Sequence, residues 1–164
     1  AYDKIAEITT KTCGKIVVDS EKDLVETVLP YQPLFIKPNK DELEVMFNTT
    51  VSSDQDVVKY GKEILKKGAQ SVIISLGGDG AVYVDEQQSI KAVNPQGKVI
   101  NTVGSGDSSV AGMVAGLESG LSIQDAFKQA VASGTATAFE EDLATRDAIE
   151  KIKSQVTVSV LDGE

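Results

Sequence analysis

The 164-residue chain contains no histidine and a single cysteine, Cys13. Without histidine there is no imidazole base, no serine–histidine triad and no histidine metal site. Proton transfer must fall to Asp, Glu, Lys, Tyr or Cys13. A lone cysteine cannot form an internal disulfide, and a small buried hydrophobe is its plainest role. Positive charge is also scarce: 16 Lys and Arg face 25 Asp and Glu, a formal net charge of −9. That balance argues against nucleic acid or an anionic membrane as partner, since both want a basic face. Phosphorylated small molecules remain open, because local donors outweigh net charge at short range. No apolar run reaches the roughly 18 residues of a membrane span, and no signal peptide is read. A reducing cytoplasm is the expected compartment.

What is present suits a packed α/β protein. The chain is 41% hydrophobic, enough for a buried core. Ala1 is not an initiator methionine, and "YDKIAEITTKT" reads as an amphipathic helix without a good cap. The chain is therefore expected to start in mid-domain. "KIVVD" (Lys15–Asp19) is a short apolar run typical of a buried parallel strand. "PLFIKPN" is a second strand, stopped by Pro38, and "DELEVMF" continues as a helix. Val57, Ile64 and Leu65 mark another helix ending at Gly68. "SVIISL" (Ser71–Leu76) is a strand followed at once by Gly77 and Gly78. "GAVYVD" and "QSIKAV" form a hairpin pair. A long helix follows Gly106, a break comes at "SGLS", and a helix covers Ile123 to Phe139. A last helix runs through Ile149 and Ile152, and "VTVSV" adds a closing strand. Strands alternating with helices imply one α/β domain with a mostly parallel sheet. Ligands are then expected at the carboxyl ends of the strands.

Three loops there are rich in chemistry: "KPNKDE", "SLGGDG" and "NTVGSGDS". Two common glycine motifs fail. A P-loop needs Gly-Lys-Ser/Thr, but Asp107 follows Gly106 and Ala81 follows Gly80. The dinucleotide fingerprint needs glycine where the chain has Ser109 or Tyr83. In "GSGD", Gly104 and Gly106 permit unusual torsions and close approach to the main chain. The amides of Gly104, Ser105 and Gly106 at a helix N-terminus favour an anion, a phosphate in particular. The same field stabilises the Asp107 carboxylate, which is a cap on one reading and a base or metal ligand on another. Small residues after it (Ser108, Ser109, Ala111, Gly112) let the helix pack closely. "SLGGDG" is a nucleotide loop or a plain strand-to-hairpin turn. "PNKDE" places Asn39 and Glu42 three apart at a helix start, on one face. They form a capping-box-like pair, or a hydrated Mg²⁺ site of oxygen ligands.

Together the loops resemble the phosphofructokinase B group of the ribokinase-like sugar kinases. "NTVGSGDSSVAG" is similar to that group's second signature, G-[AS]-G-D followed by small residues. "KPNKDEL" resembles its N-x-x-E element and "SLGGDGA" its nucleotide loop. The resemblance spans this chain but only the C-terminal half of a family member. It implies a ribokinase-like three-layer α/β/α sandwich and ATP-dependent phosphorylation of a sugar phosphate. The tail "ASGTATAFEEDLATRDAIE" resembles members that phosphorylate fructose 1-phosphate, with tagatose-6-phosphate kinases the nearest alternative.

The resemblance also carries roles. Asp107 would be the base toward the sugar hydroxyl, with Gly104, Ser105 and Gly106 as the anion hole. Ser75, Leu76, Gly77, Gly78, Asp79 and Gly80 would line the ATP site with Gly106 and Asp107. Ser133 and Gly134 would leave room for adenine. Asn39 and Glu42 would hold Mg²⁺ through water. A full-length member is expected to form a homodimer, and its N-terminal half to supply the lid and the grip on the sugar. These 164 residues alone are therefore expected to bind sugar weakly. A non-catalytic nucleotide- or phosphate-binding module is the reading from another class; it leaves Asp107 without a role.

Overall fold

The structure, a computed structural model, describes residues 17–18, 35–94, 105–138 and 145–161, with the side chains of 17, 18, 105–108 and 138 excepted. The contacts within the chain divide it into two compact units. The first contains residues 1–77, 82–89 and 160–164. The second contains residues 78–81 and 90–159.

In the first unit, β1 (Val17–Val18), β2 (Phe35–Ile36) and β3 (Val72–Ser75) are parallel neighbours. Their register pairs Val17 with Phe35, Val18 with Ile36 and Ile36 with Val72. β4 (Ala81–Val84) lies beside β3. Val72 and Ile74 point to one face and Ile73 to the other, yet all three are buried. A strand buried on both faces is the signature of a sheet covered on both sides, and it explains the unbroken apolar run "VII". Strands thus stand within "KIVVD", "PLFIKPN" and "SVIISL".

α1 (Lys40–Phe47) starts at an Asn39 cap and stops where Asn48 turns left-handed at φ 48°. The Asn48 and Thr49 amides there satisfy the carbonyls of Val45 and Glu44. α2 (Asp54–Lys67) starts at Ser53, whose hydroxyl accepts from the Asp56 amide, and ends at Gly68, φ 133°. Its Val57, Val58, Gly61 and Ile64 are buried. Gly61 permits the close approach to the sheet: a β-carbon there would lie 3.0 Å from Val84 and 3.3 Å from Ile74. These residues form one core with Ile36, Leu43 and Met46. Each fully buried aliphatic side chain of this kind contributes about 1.5–3 kcal/mol over its exposed state.

The second unit contains an αα-hairpin. α3 (Ser105–Glu118) and α4 (Ile123–Ala138) are joined by residues 119–122. Gly120 takes φ 84°, and the Leu121 amide closes onto the Gly116 carbonyl. The Ser122 hydroxyl caps α4 by accepting from the Asp125 amide. The break at "SGLS" is thus a glycine stop followed by a serine start. α5 (Arg146–Lys153), capped by Thr145, packs on α4. β6 (Thr157–Leu161) follows, as a neighbour of β5 (Ser89–Val93). The hairpin of "GAVYVD" and "QSIKAV" turns at Asp85, whose amide donates to the Gln88 carbonyl. The helix expected from Ile123 to Phe139 is present over Ile123–Ala138, and Phe139 lies outside the described residues. The helix expected in "YDKIAEITTKT", and Cys13, lie outside the described residues.

Candidate active site

Two of the three loops start side by side in the first unit. Asn39 follows β2 and Ser75 ends β3; the two pair as a parallel β-bridge, and the Ser75 amide donates to the Pro38 carbonyl at 3.0 Å. Pro38 ends the strand but keeps its acceptor, so the ladder extends one step beyond β2. Both loops leave the carboxyl ends of neighbouring parallel strands, where open α/β sheets place their ligands.

At the first loop, the Asn39 carboxamide works in both directions. Its oxygen accepts from the Glu42 amide at 2.8 Å, and its Nδ2 donates to Glu42 Oε1 at 2.6 Å. Asn39 is exposed and Glu42 half-buried. This is the capping pair that the three-residue spacing suggests, and it fixes the Glu42 carboxylate at the positive end of α1. Among the described residues no cluster of three or more His, Cys, Asp or Glu could hold a metal ion. The two side chains nevertheless offer oxygen donors, a neutral carboxamide and one carboxylate, which suits a cation that keeps most of its own water.

The second loop runs from Ser75 through a short 3₁₀ turn, Gly77–Asp79. Leu76 packs on the core of the first unit. Gly77, Gly78 and Asp79 are exposed, and β-carbons built at Gly77 and Gly78 would meet nothing within 4 Å. Gly80 differs. It is buried at φ 98°, and a β-carbon there would lie 1.9 Å from the Ala92 carbonyl oxygen. Steric need accounts for Gly80. Open space leaves Gly77 and Gly78 available to a ligand.

The third loop belongs to the second unit. α3 begins at Ser105, so Gly106 and Asp107 stand in its first turn, where backbone amides have no intrahelical acceptor. Gly104 and the side chains of Ser105 and Asp107 lie outside the described residues. Ser133 and Gly134 are buried in α4. The Ser133 hydroxyl donates to the Gln129 carbonyl at 2.8 Å and abuts Gly112 of α3. Its small size serves helix packing at that point. Sequence reasoning passed over Gln129, whose side chain crosses from α4 to the Gly112 carbonyl at 2.9 Å. Nothing in the linear pattern marks an amide 17 residues from its acceptor.

The model of the pfkB family of carbohydrate kinases matches residues 2–149, a stretch that contains all three loops. The chain belongs to this family. It is 38% identical over 160 residues to a 1-phosphofructokinase of Bacillus subtilis, covering 98% of this chain and 53% of that protein. It is 35% identical to a D-tagatose-1-phosphate kinase of Bacillus licheniformis, with the same coverage of 98% and 53%. A crystal structure of a Staphylococcus aureus protein described as a "putative phosphofructokinase" superposes with a TM-score of 0.96 at 77% identity, covering 99% of this chain and 53% of that one. The chain thus spans about half the length of these relatives, and its fold is ribokinase-like.

Proposed function

We propose that the protein carrying this chain transfers the γ-phosphoryl group of ATP to a hydroxyl of a sugar phosphate, converting fructose 1-phosphate to fructose 1,6-bisphosphate in the cytoplasm. The observation that carries the reading is the family match running through all three glycine- and carboxylate-bearing loops. The relative named 1-phosphofructokinase favours fructose 1-phosphate. The relative named D-tagatose-1-phosphate kinase favours a second substrate, tagatose 1-phosphate, rather than the 6-phosphate that the sequence resemblance suggested. Comparing kcat/KM for the 1- and 6-phosphates of both sugars separates these readings. Residues 1–164 are read as the C-terminal part of one ribokinase-like domain, and the full-length protein as a homodimer.

On this reading, Asp107 accepts the proton of the attacking hydroxyl as its oxygen bonds to the γ-phosphorus and ADP leaves. The amides of Gly104, Ser105 and Gly106 stabilise charge on the phosphoryl oxygens, as phosphoryl transfer requires. The segment Ser75, Leu76, Gly77, Gly78, Asp79 and Gly80 lines the nucleotide site, with Ser133 and Gly134 at the adenine end. Asn39 and Glu42 would hold a hydrated Mg²⁺, whose charge would offset that of the phosphates.

Replacing the base tests this directly. Asp107→Asn in the intact protein preserves a capping oxygen, because Asn caps about as well as Asp. It removes the proton acceptor, so kcat should fall by roughly 10²–10⁴-fold while ATP still binds. Near-normal turnover of a well-folded variant would leave Asp107 as a helix cap.

A further inference from the structure

α3 carries Asp107 in its first turn, and a side chain of the neighbouring helix holds it. α3 and α4 run antiparallel: Gly116 lies against Ala126, and Gly112 lies against Gln129 and Ser133. At Gly112 the approach is so close that a β-carbon would lie 2.6 Å from Ser133 Oγ and 3.1 Å from the Gln129 carbonyl oxygen. Gln129 Nε2 then donates to the Gly112 carbonyl at 2.9 Å. A carbonyl can only accept, so the amide nitrogen must face it. The Ser133 hydroxyl turns back to the Gln129 carbonyl at 2.8 Å. Gly112 therefore does two things: it lets the helices touch and exposes its carbonyl to a directional bond.

We propose that Gln129 is a positioning residue for phosphoryl transfer, fixing the rotation and axial setting of α3 and so the placement of its first turn. The proposal rests on the function proposed above. Gly112 follows Asp107 by five residues, about 7.5 Å along a stiff helix. A slip or rotation at Gly112 is thus delivered to the first turn nearly undiminished. Apolar packing resists separation of two helices but resists sliding weakly, especially between small residues; a hydrogen bond with a preferred angle resists both. Backbone carbonyls have two lone pairs, and the Gly112 carbonyl sits inside α3, so losing the Gln129 amide leaves it an intrahelical partner. Deleting the amide should therefore disturb alignment more than folding. Misplacement by about 1 Å is enough to cost about 10²-fold in rate.

The test uses the intact protein with Gln129→Leu, which removes the donor, and Gln129→Glu, which keeps the shape but presents a carboxylate. Two quantities are read: hydrogen exchange of the α3 amides and the steady-state constants for ATP and sugar phosphate. Both variants should exchange faster in α3 and lose roughly 10–100-fold in kcat, with each KM within about twofold of the parent. Unchanged exchange, or Gln129→Glu behaving like the parent, overturns the bond as the fixing element. Faster exchange with unchanged kcat overturns its role in the reaction. A parent protein that turns over no sugar phosphate overturns the kinase reading beneath the proposal, while exchange still reports on the bond.

Discussion

At Gly80 the chain turns with φ 98°, and a β-carbon would lie 1.9 Å from the Ala92 carbonyl oxygen. A left-handed setting alone costs a side-chain-bearing residue about 1–2 kcal/mol. The backbone overlap adds the cost of moving one arm of the hairpin. Gly80→Ala should therefore lose about 3 kcal/mol or more, roughly 6–12 °C in Tm for a chain of this size. Thermal unfolding checks it, and a Tm within about 2 °C of the parent would contradict the tight crossing. Gly78, two residues earlier, is the contrast. It is exposed with open space above it, so any constraint there comes from a ligand rather than from the fold. Asn39 and Glu42 teach a related lesson. Their two hydrogen bonds make a helix cap, and the same bonds fix the carboxylate in place.

The elements obey local rules and then depart from them where they touch. α2 is capped by Ser53 and carries Lys66 and Lys67 in its last turn, in accord with the helix dipole. In α3, Gly112 and Gly116 contradict helix propensity, since each costs about 1 kcal/mol relative to alanine. Their placement is explained by α4. Gly112→Ala should gain that propensity term but force Ser133 Oγ, 2.6 Å from the new β-carbon, to move. The hydroxyl is tied to the Gln129 carbonyl and sits on a short side chain, so the helices must part. Overpacking of this kind typically costs about 1–3 kcal/mol, and the net effect should be destabilising. Urea unfolding decides the sign; a more stable variant would show that the helices separate freely.

Among the described residues, two groups should contribute identifiably to the pH dependence of stability. The Asp56 carboxyl is held below its ordinary value of 3.8, chiefly by the Ser52 amide and then by the Ser52 hydroxyl. A lowered value means stability that is complete above the ordinary carboxylate range and fades as pH falls through the folded value. Tyr83 is pushed above its ordinary 10.0, first by burial and then by donating to Asp85 at 2.8 Å. A raised value means stability complete below pH 10.0 and lost as pH rises beyond it. Asp56→Asn should flatten the acid limb of a Tm–pH profile, and Tyr83→Phe the alkaline limb. Variants whose limbs match the parent's would remove these groups from the pH response.

Much of this protein was determined by its sequence alone. Buried strands announce themselves as short apolar runs, and helix ends such as Asn39, Gly68 and Gly120 act through the backbone beside them, so they read linearly. The family was legible in three loops because glycines and carboxylates at helix starts have few substitutes. The pairing of Asn39 with Ser75 was decided only by tertiary structure, because sheet register joins residues 36 apart through hydrogen bonds that no local pattern encodes. The reason for Gly80 lies in Ala92, and the reason for Gly112 lies in Gln129 and Ser133. These are contacts across space, where the volume of a single methyl group decides what the chain can place.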